Sequence, residues 1–101
     1  MQGKLEQWIR QILINSDIPE RDLDLMQTII LYMAEHPGST LMDVCKIYAE
    51  QHQRSGQTVY RTFRQAVLNG WENAVTPSSL LYSRRMSPEE FVQKIISRLD
   101  I

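Results

Sequence analysis

The chain has 101 residues, with 43% hydrophobic residues and a net charge of −1, which leaves room for one domain with one core and is too apolar for a disordered chain. No stretch approaches the roughly 20 apolar residues needed to span a bilayer, and the N-terminus has apolar residues at helical spacing in place of the continuous run of a secretory signal, so a cytoplasmic protein without a membrane partner is expected. Cys45 is the only cysteine, which excludes an internal disulfide and a multi-thiolate metal site.

Nearly every segment repeats its apolar residues with a period near 3.6, which predicts helices throughout. The first helix is expected over about 4–15, with Leu5, Trp8, Ile9, Ile12 and Leu13 inward, and Ser16, Asp17 and Pro19 ending it. A second starts near Pro19, with Glu20 and Asp22 at the positive end of its dipole. It carries Leu23, Met26, Ile29, Ile30 and Met33 as the central core stripe and stops at Pro37–Gly38. Ser39 or Thr40 caps a third helix, whose inward residues are Leu41, Val44, Cys45, Tyr48 and Ala49. The break at 53–56 is short, and a fourth helix with Val59, Phe63, Ala66 and Val67 inward runs to about Trp71 or Asn73. Thr76–Pro77 could open a short helical turn.

The clearest start signal lies at 86–91. Ser87 and Glu90 have capping-box spacing, Pro88 sits at the first helical position, and Met86 and Phe91 are placed as a hydrophobic staple. Phe91, Val92, Ile95, Ile96 and Leu99 follow as the buried stripe. The expected fold is therefore all-α, a single domain of five to six helices over 1–101, with a helix-turn-helix at about 41–71.

Charge is unevenly spread. Residues 1–50 carry four basic and eight acidic side chains, whereas residues 51–101 carry seven basic and four acidic ones, and no acid occurs between Glu50 and Glu72. A surface that meets DNA phosphates needs such a local excess of cations. On the fourth helix the positions at helical spacing from Gln57 are Tyr60, Arg61, Arg64 and Gln65, facing away from the Val59–Phe63–Ala66 stripe. Arginine can bond guanine and glutamine adenine in bidentate fashion, each pair giving about 1–3 kcal/mol of discrimination. The N-terminal half of a recognition helix enters the groove, so Gln57, Thr58 and Arg61 are the candidate base contacts. Arg54, Ser55, Arg64, Gln65 and Arg84 are the candidate backbone contacts. Ala49 and Gly56 supply the small residues that a tight helix pair needs. The same Gln-Tyr-Arg-Arg-Gln face could also be a plain solvated one.

At these residues a resemblance becomes specific. Tyr48-Ala49-Glu50-Gln51-His52, then Val59-Tyr60-Arg61-Thr62-Phe63-Arg64-Gln65-Ala66-Val67 and Trp71, resembles the C-terminal effector domain of the bacterial sporulation master regulator (stage zero sporulation protein A). Ala49, Val59, Arg61, Arg64, Ala66 and Trp71 match that family without a gap, and Ile18–Pro19 and Glu90-Phe91-Val92 with Leu99 resemble its ends. The resemblance implies a six-helix transcription factor binding duplex DNA, with Arg61 and Arg64 as DNA-contacting arginines. Tyr60 stands where the family has an acid, Gln65 where it has a histidine and Gln57 where it has a serine, and the link from Val75 to Met86 is shorter. These departures bear on the operator sequence more than on the fold. The family regulator also carries an N-terminal phospho-acceptor receiver domain that these residues do not include, so control by phosphorylation in cis is not expected.

The competing expectation is a protein-interaction module that kept the fold and lost the DNA, binding a regulatory protein or dimerising through its acidic N-terminal half. Pairing on DNA, as a homodimer or in tandem, is expected of a reader with about three base-contacting side chains. Two isolated histidines, His36 and His52, and one cysteine leave no expectation of a metal or of a cofactor. No Ser–His–acid arrangement, phosphate loop or inward carboxylate pair suggests an enzyme.

Overall fold

A computed structural model describes residues 2–73 and 86–99. Among these residues five α-helices run in the order α1 (Gln2–Asn15), α2 (Leu23–Glu35), α3 (Leu41–Gln51), α4 (Gly56–Asn73) and α5 (Pro88–Leu99), and a 3-10 turn (Glu20–Asp22) leads into α2. There is no strand among the described residues. The expected turn at Thr76–Pro77 and the side chain of Leu99 lie outside the described residues.

The core is one cluster fed by all five helices. Ile9 and Leu13 of α1, Met26, Ile29 and Ile30 of α2, Val44 and Cys45 of α3, Val59, Phe63 and Ala66 of α4, and Phe91, Val92 and Ile95 of α5 are fully or almost fully buried. Helix α2 packs on α1, α3 and α5, which makes it the central element that its wide apolar stripe predicts. The α-carbon radius of gyration, 12.7 Å, matches the roughly 13 Å of a close-packed 100-residue domain. The Cys45 thiol is held by this packing, and burial, with Glu89 nearby, pushes its pKa up to about 11.

One expectation fails at α1. Trp8, expected on the inward face, is 55% exposed. At about 100° per residue, Ile9 and Leu13 define the buried centre, with Leu5 and Ile12 half-buried beside them. Trp8 falls at the rim of that arc, and its neighbours cover only the narrower stripe. Ile14, on the far side of the helix, is 47% exposed.

The helix ends explain the connections. After α1, Asp17 adopts φ 61° and the Ile18 N–H bonds the Leu13 carbonyl at 3.2 Å. After α3, Gln53 adopts φ 54° and the Arg54 N–H bonds the Ala49 carbonyl at 2.8 Å. Both are the six-to-one closure of a Schellman motif, here built without glycine. Thr40 caps α3 by accepting from the Asp43 N–H at 3.2 Å. The capping box of α5 forms as the sequence requires: the Glu90 N–H bonds Ser87 Oγ at 3.2 Å, and Glu90 Oε1 accepts from the Ser87 N–H at 3.3 Å. Met86 and Phe91, the staple pair, are both buried.

Two links have no signal in the sequence. The Arg10 guanidinium donates to Asp24 Oδ1 and to Gln27 Oε1, each at 2.8 Å, joining α1 to α2. His36 and His52, at the C-caps of α2 and α3, stack on Tyr32 and Tyr48 one turn earlier, with ring centroids 4.0 and 4.1 Å apart.

Candidate nucleic-acid interface

Helix α3, the turn at 52–55 and α4 form the hairpin that the sequence places at 41–71. Its tightness depends on Gly56. A Cβ built there would lie 2.7 Å from Lys46 Cγ and 3.3 Å from Lys46 Cα, so the first turn of α4 runs against the backbone of α3 with no space for a side chain. Ala49, two residues before the end of α3, is buried, and its carbonyl accepts from the Arg54 N–H in the turn. Ser55 closes the start of α4: its Oγ accepts from the Thr58 N–H at 3.0 Å and donates to Thr58 Oγ1 at 2.9 Å.

The fourth helix then divides cleanly. Val59, Phe63, Ala66 and Val67 point into the core. Gln57, Thr58, Arg61, Arg64 and Gln65 are all exposed, as are Arg54 and Ser55 in the turn. By helical geometry Arg61 lies at the centre of this outward face, flanked by Gln57, Gln65 and Arg64, and Gln57 and Arg64 are about 10 Å apart along the axis. Arg54, Arg61 and Arg64 make no ion pair or side-chain hydrogen bond with another described residue. Among the described residues nothing occupies these three guanidinium groups.

Other side chains on this face are partly engaged. The Ser55 and Thr58 hydroxyls bond each other, which orders the start of the helix and leaves the Thr58 proton for an outside acceptor. Gln65 Nε2 donates to Asn69 Oδ1 at 3.0 Å. Arg84, the remaining candidate, lies outside the described residues.

Tyr60 has a role that the sequence does not disclose. Its hydroxyl donates to Glu89 Oε2 at 2.5 Å, tying the flank of α4 to the first turn of α5. That hydrogen bond, with burial and the adjacent carboxylate, pushes the Tyr60 pKa up to about 12, against the opposing pull of Arg64. Glu89 thus serves the junction between the two helices, while its neighbour Glu90 makes the cap. A phenol three residues after Gln57, beside an arginine-bearing face, is the available signal, and it cannot name a partner 29 residues on.

Glu50 and Glu72 are exposed, and Glu72 shares the direction of Arg61 but lies eleven residues on, about 16 Å along the helix. Among the described residues no three histidine, cysteine or carboxylate side chains gather as a metal set, and no described helix is long and apolar enough to cross a membrane.

Among the described residues the fold is all-helical, and α4, packed on α3 across a short turn, presents an arginine- and glutamine-bearing face outward. No family model, curated protein or solved structure matches the chain.

Proposed function

We propose that this chain binds duplex DNA sequence-specifically as a transcriptional regulator akin to the sporulation-type effector domains, with α4 as its recognition helix. The observation that carries the reading is Arg61, exposed at the centre of the outward face of α4 and unpaired among the described residues. Gln57, Thr58 and Arg61 reach base edges, while Arg54, Ser55, Arg64 and Gln65 meet phosphates, and Arg84 joins them on sequence grounds. The free N–H groups of the first turn of α4 add a dipole-supported anion site beside Ser55.

The test is duplex binding across a salt series, first with random sequence and then with a site selected from a random library. The logarithm of the association constant should fall linearly with the logarithm of salt concentration, with about 0.9 added to the slope per phosphate contact. Arg61→Ala should erase about 1–3 kcal/mol of preference for the selected site. Arg54→Ala should weaken all sequences alike and reduce the slope by about one. Absence of binding at high micromolar duplex in low salt overturns the DNA reading. The second reading, a protein-interaction module, would then stand, favoured by the exposed Trp8 and Ile14 in the acidic half.

A further inference from the structure

Where α1 ends and the chain turns into α2, the half-exposed Ile14, with the edges of the otherwise buried Ile18 and Leu23 at its floor, forms the apolar part of an open groove of about 500 Å³, and Arg10, Asp17 and Glu20 complete its walls. This is within the range of ligand-binding clefts. Its charge is one-sided. The Arg10 guanidinium is already matched by Asp24 at 2.8 Å, whereas Asp17 and Glu20 make no ion pair with a described residue.

Asp17 is also a poor choice for local stability. It occupies a left-handed position, φ 61°, where glycine is the favoured residue. It also places a carboxylate at the negative end of the α1 dipole, in a helix with no basic residue in its last turn. Ile14, half exposed on the adjoining turn, is likewise unaccounted for by the core. Residues that break local rules together on one surface point to a use for that surface.

We propose that this groove docks a segment of a partner protein that presents an aliphatic side chain beside a lysine or arginine. The aliphatic group packs chiefly on Ile14, over the edges of Ile18 and Leu23 that reach the groove, and the cation meets Asp17 and Glu20. The charge decides the occupant: an acidic segment would meet two carboxylates that have no ion-pair partner among the described residues, and the groove's one lining cation, Arg10, is already matched by Asp24. This surface is separate from the outward face of α4, so the proposal does not depend on DNA binding.

The experiment titrates the full chain, with labelled methyl groups, against three peptides: acetyl-Arg-Leu-Leu-Arg-amide, acetyl-Glu-Leu-Leu-Glu-amide and acetyl-Arg-Gly-Gly-Arg-amide. The first should shift the methyl signals of Ile14, Ile18 and Leu23 and bind at least about fivefold tighter than the second, as two exposed charge pairs allow. The glycine peptide should leave those methyl signals unmoved. The double substitution Asp17→Asn with Glu20→Gln keeps a side chain tolerant of the left-handed turn and should remove the advantage of the basic peptide. Equal binding of the acidic peptide overturns the proposal. So do shifts that map elsewhere, no shift at millimolar peptide, or shifts that grow with protein concentration alone, the last assigning the groove to a second copy of the chain.

Discussion

Gly56 concentrates the geometry of the hairpin into one missing methyl group. Alanine gains up to about 1 kcal/mol over glycine inside a helix, and although Gly56 is only the first residue of α4, a local reading would still lean to Gly56→Ala. The 2.7 Å approach to Lys46 Cγ and the 3.3 Å approach to Lys46 Cα reverse the sign, because α3 itself must move. Gly56→Ala should cost about 1–3 kcal/mol of overpacking, measured by urea denaturation. Lys46→Ala in the same chain removes the clash with the lysine stem and should restore part of that loss, leaving the crowding against the α3 backbone as the remainder. Additive losses in the double variant would show that the two side chains do not meet. The sequence marks Gly56 as a small residue at a close approach, but only the fold names Lys46 as what it approaches.

Tyr60 presents the opposite case. Its position on the flank of the arginine-bearing face is legible, while its bond to Glu89 is not, because a pairing across 29 residues depends on where α5 lands. The consequence emerges in alkali. The folded-state pKa of about 12 lies above the ordinary value of 10.0, so the stability contributed by this phenol is intact below about pH 10 and lost as pH rises from there through 12. A tyrosinate absorbance titration should show a late-ionising phenol that disappears in Tyr60→Phe. The stability gap between the two proteins should narrow over the same interval.

At the scale of elements, what is legible follows local chemistry. The start of α5 needs only Ser87, Pro88 and Glu90 in sequence, since a capping box closes within four residues, and the observed bonds follow it. The stripes of α2, α3 and α4 are equally readable, since each is wide enough to fix the inward direction. Helix α1 is less so. Five apolar residues span more of its circumference than its neighbours cover, and nothing in the periodicity chooses between Leu13 and Trp8, the two edges of that arc, as the buried side. The turns after α1 and α3 are opaque for a different reason: both place a non-glycine residue, Asp17 or Gln53, in the left-handed region, where glycine is the usual signal. At the candidate site, the outward direction of Arg61 and Arg64 comes from the period alone, whereas the Ser55–Thr58 hydroxyl pair, which engages two of its members, does not.

For the whole molecule, the question is what holds five helices together. The Arg10–Asp24 pair bridges α1 and α2 at 2.8 Å, but exposed ion pairs contribute at most about 1 kcal/mol. Phe63 is fully buried in the shared core, and truncating such a ring costs about 3–5 kcal/mol. Phe63→Ala should therefore lower the unfolding free energy several times more than Arg10→Ala, by denaturant titration at neutral pH. Comparable losses would mean that surface pairing, not the core, dominates.

Cys45 gives that comparison a clock. Its sulfur is fully buried in α3, and its pKa of about 11 leaves little thiolate at neutral pH, so the native state offers an alkylating reagent neither access nor a nucleophile. A modified thiol would then record a moment when the core was open, and because the chain has no other cysteine, each label counts one such event from one position. The rate of tagging, compared across variants, turns a silent core residue into a native reporter of how often the domain comes apart.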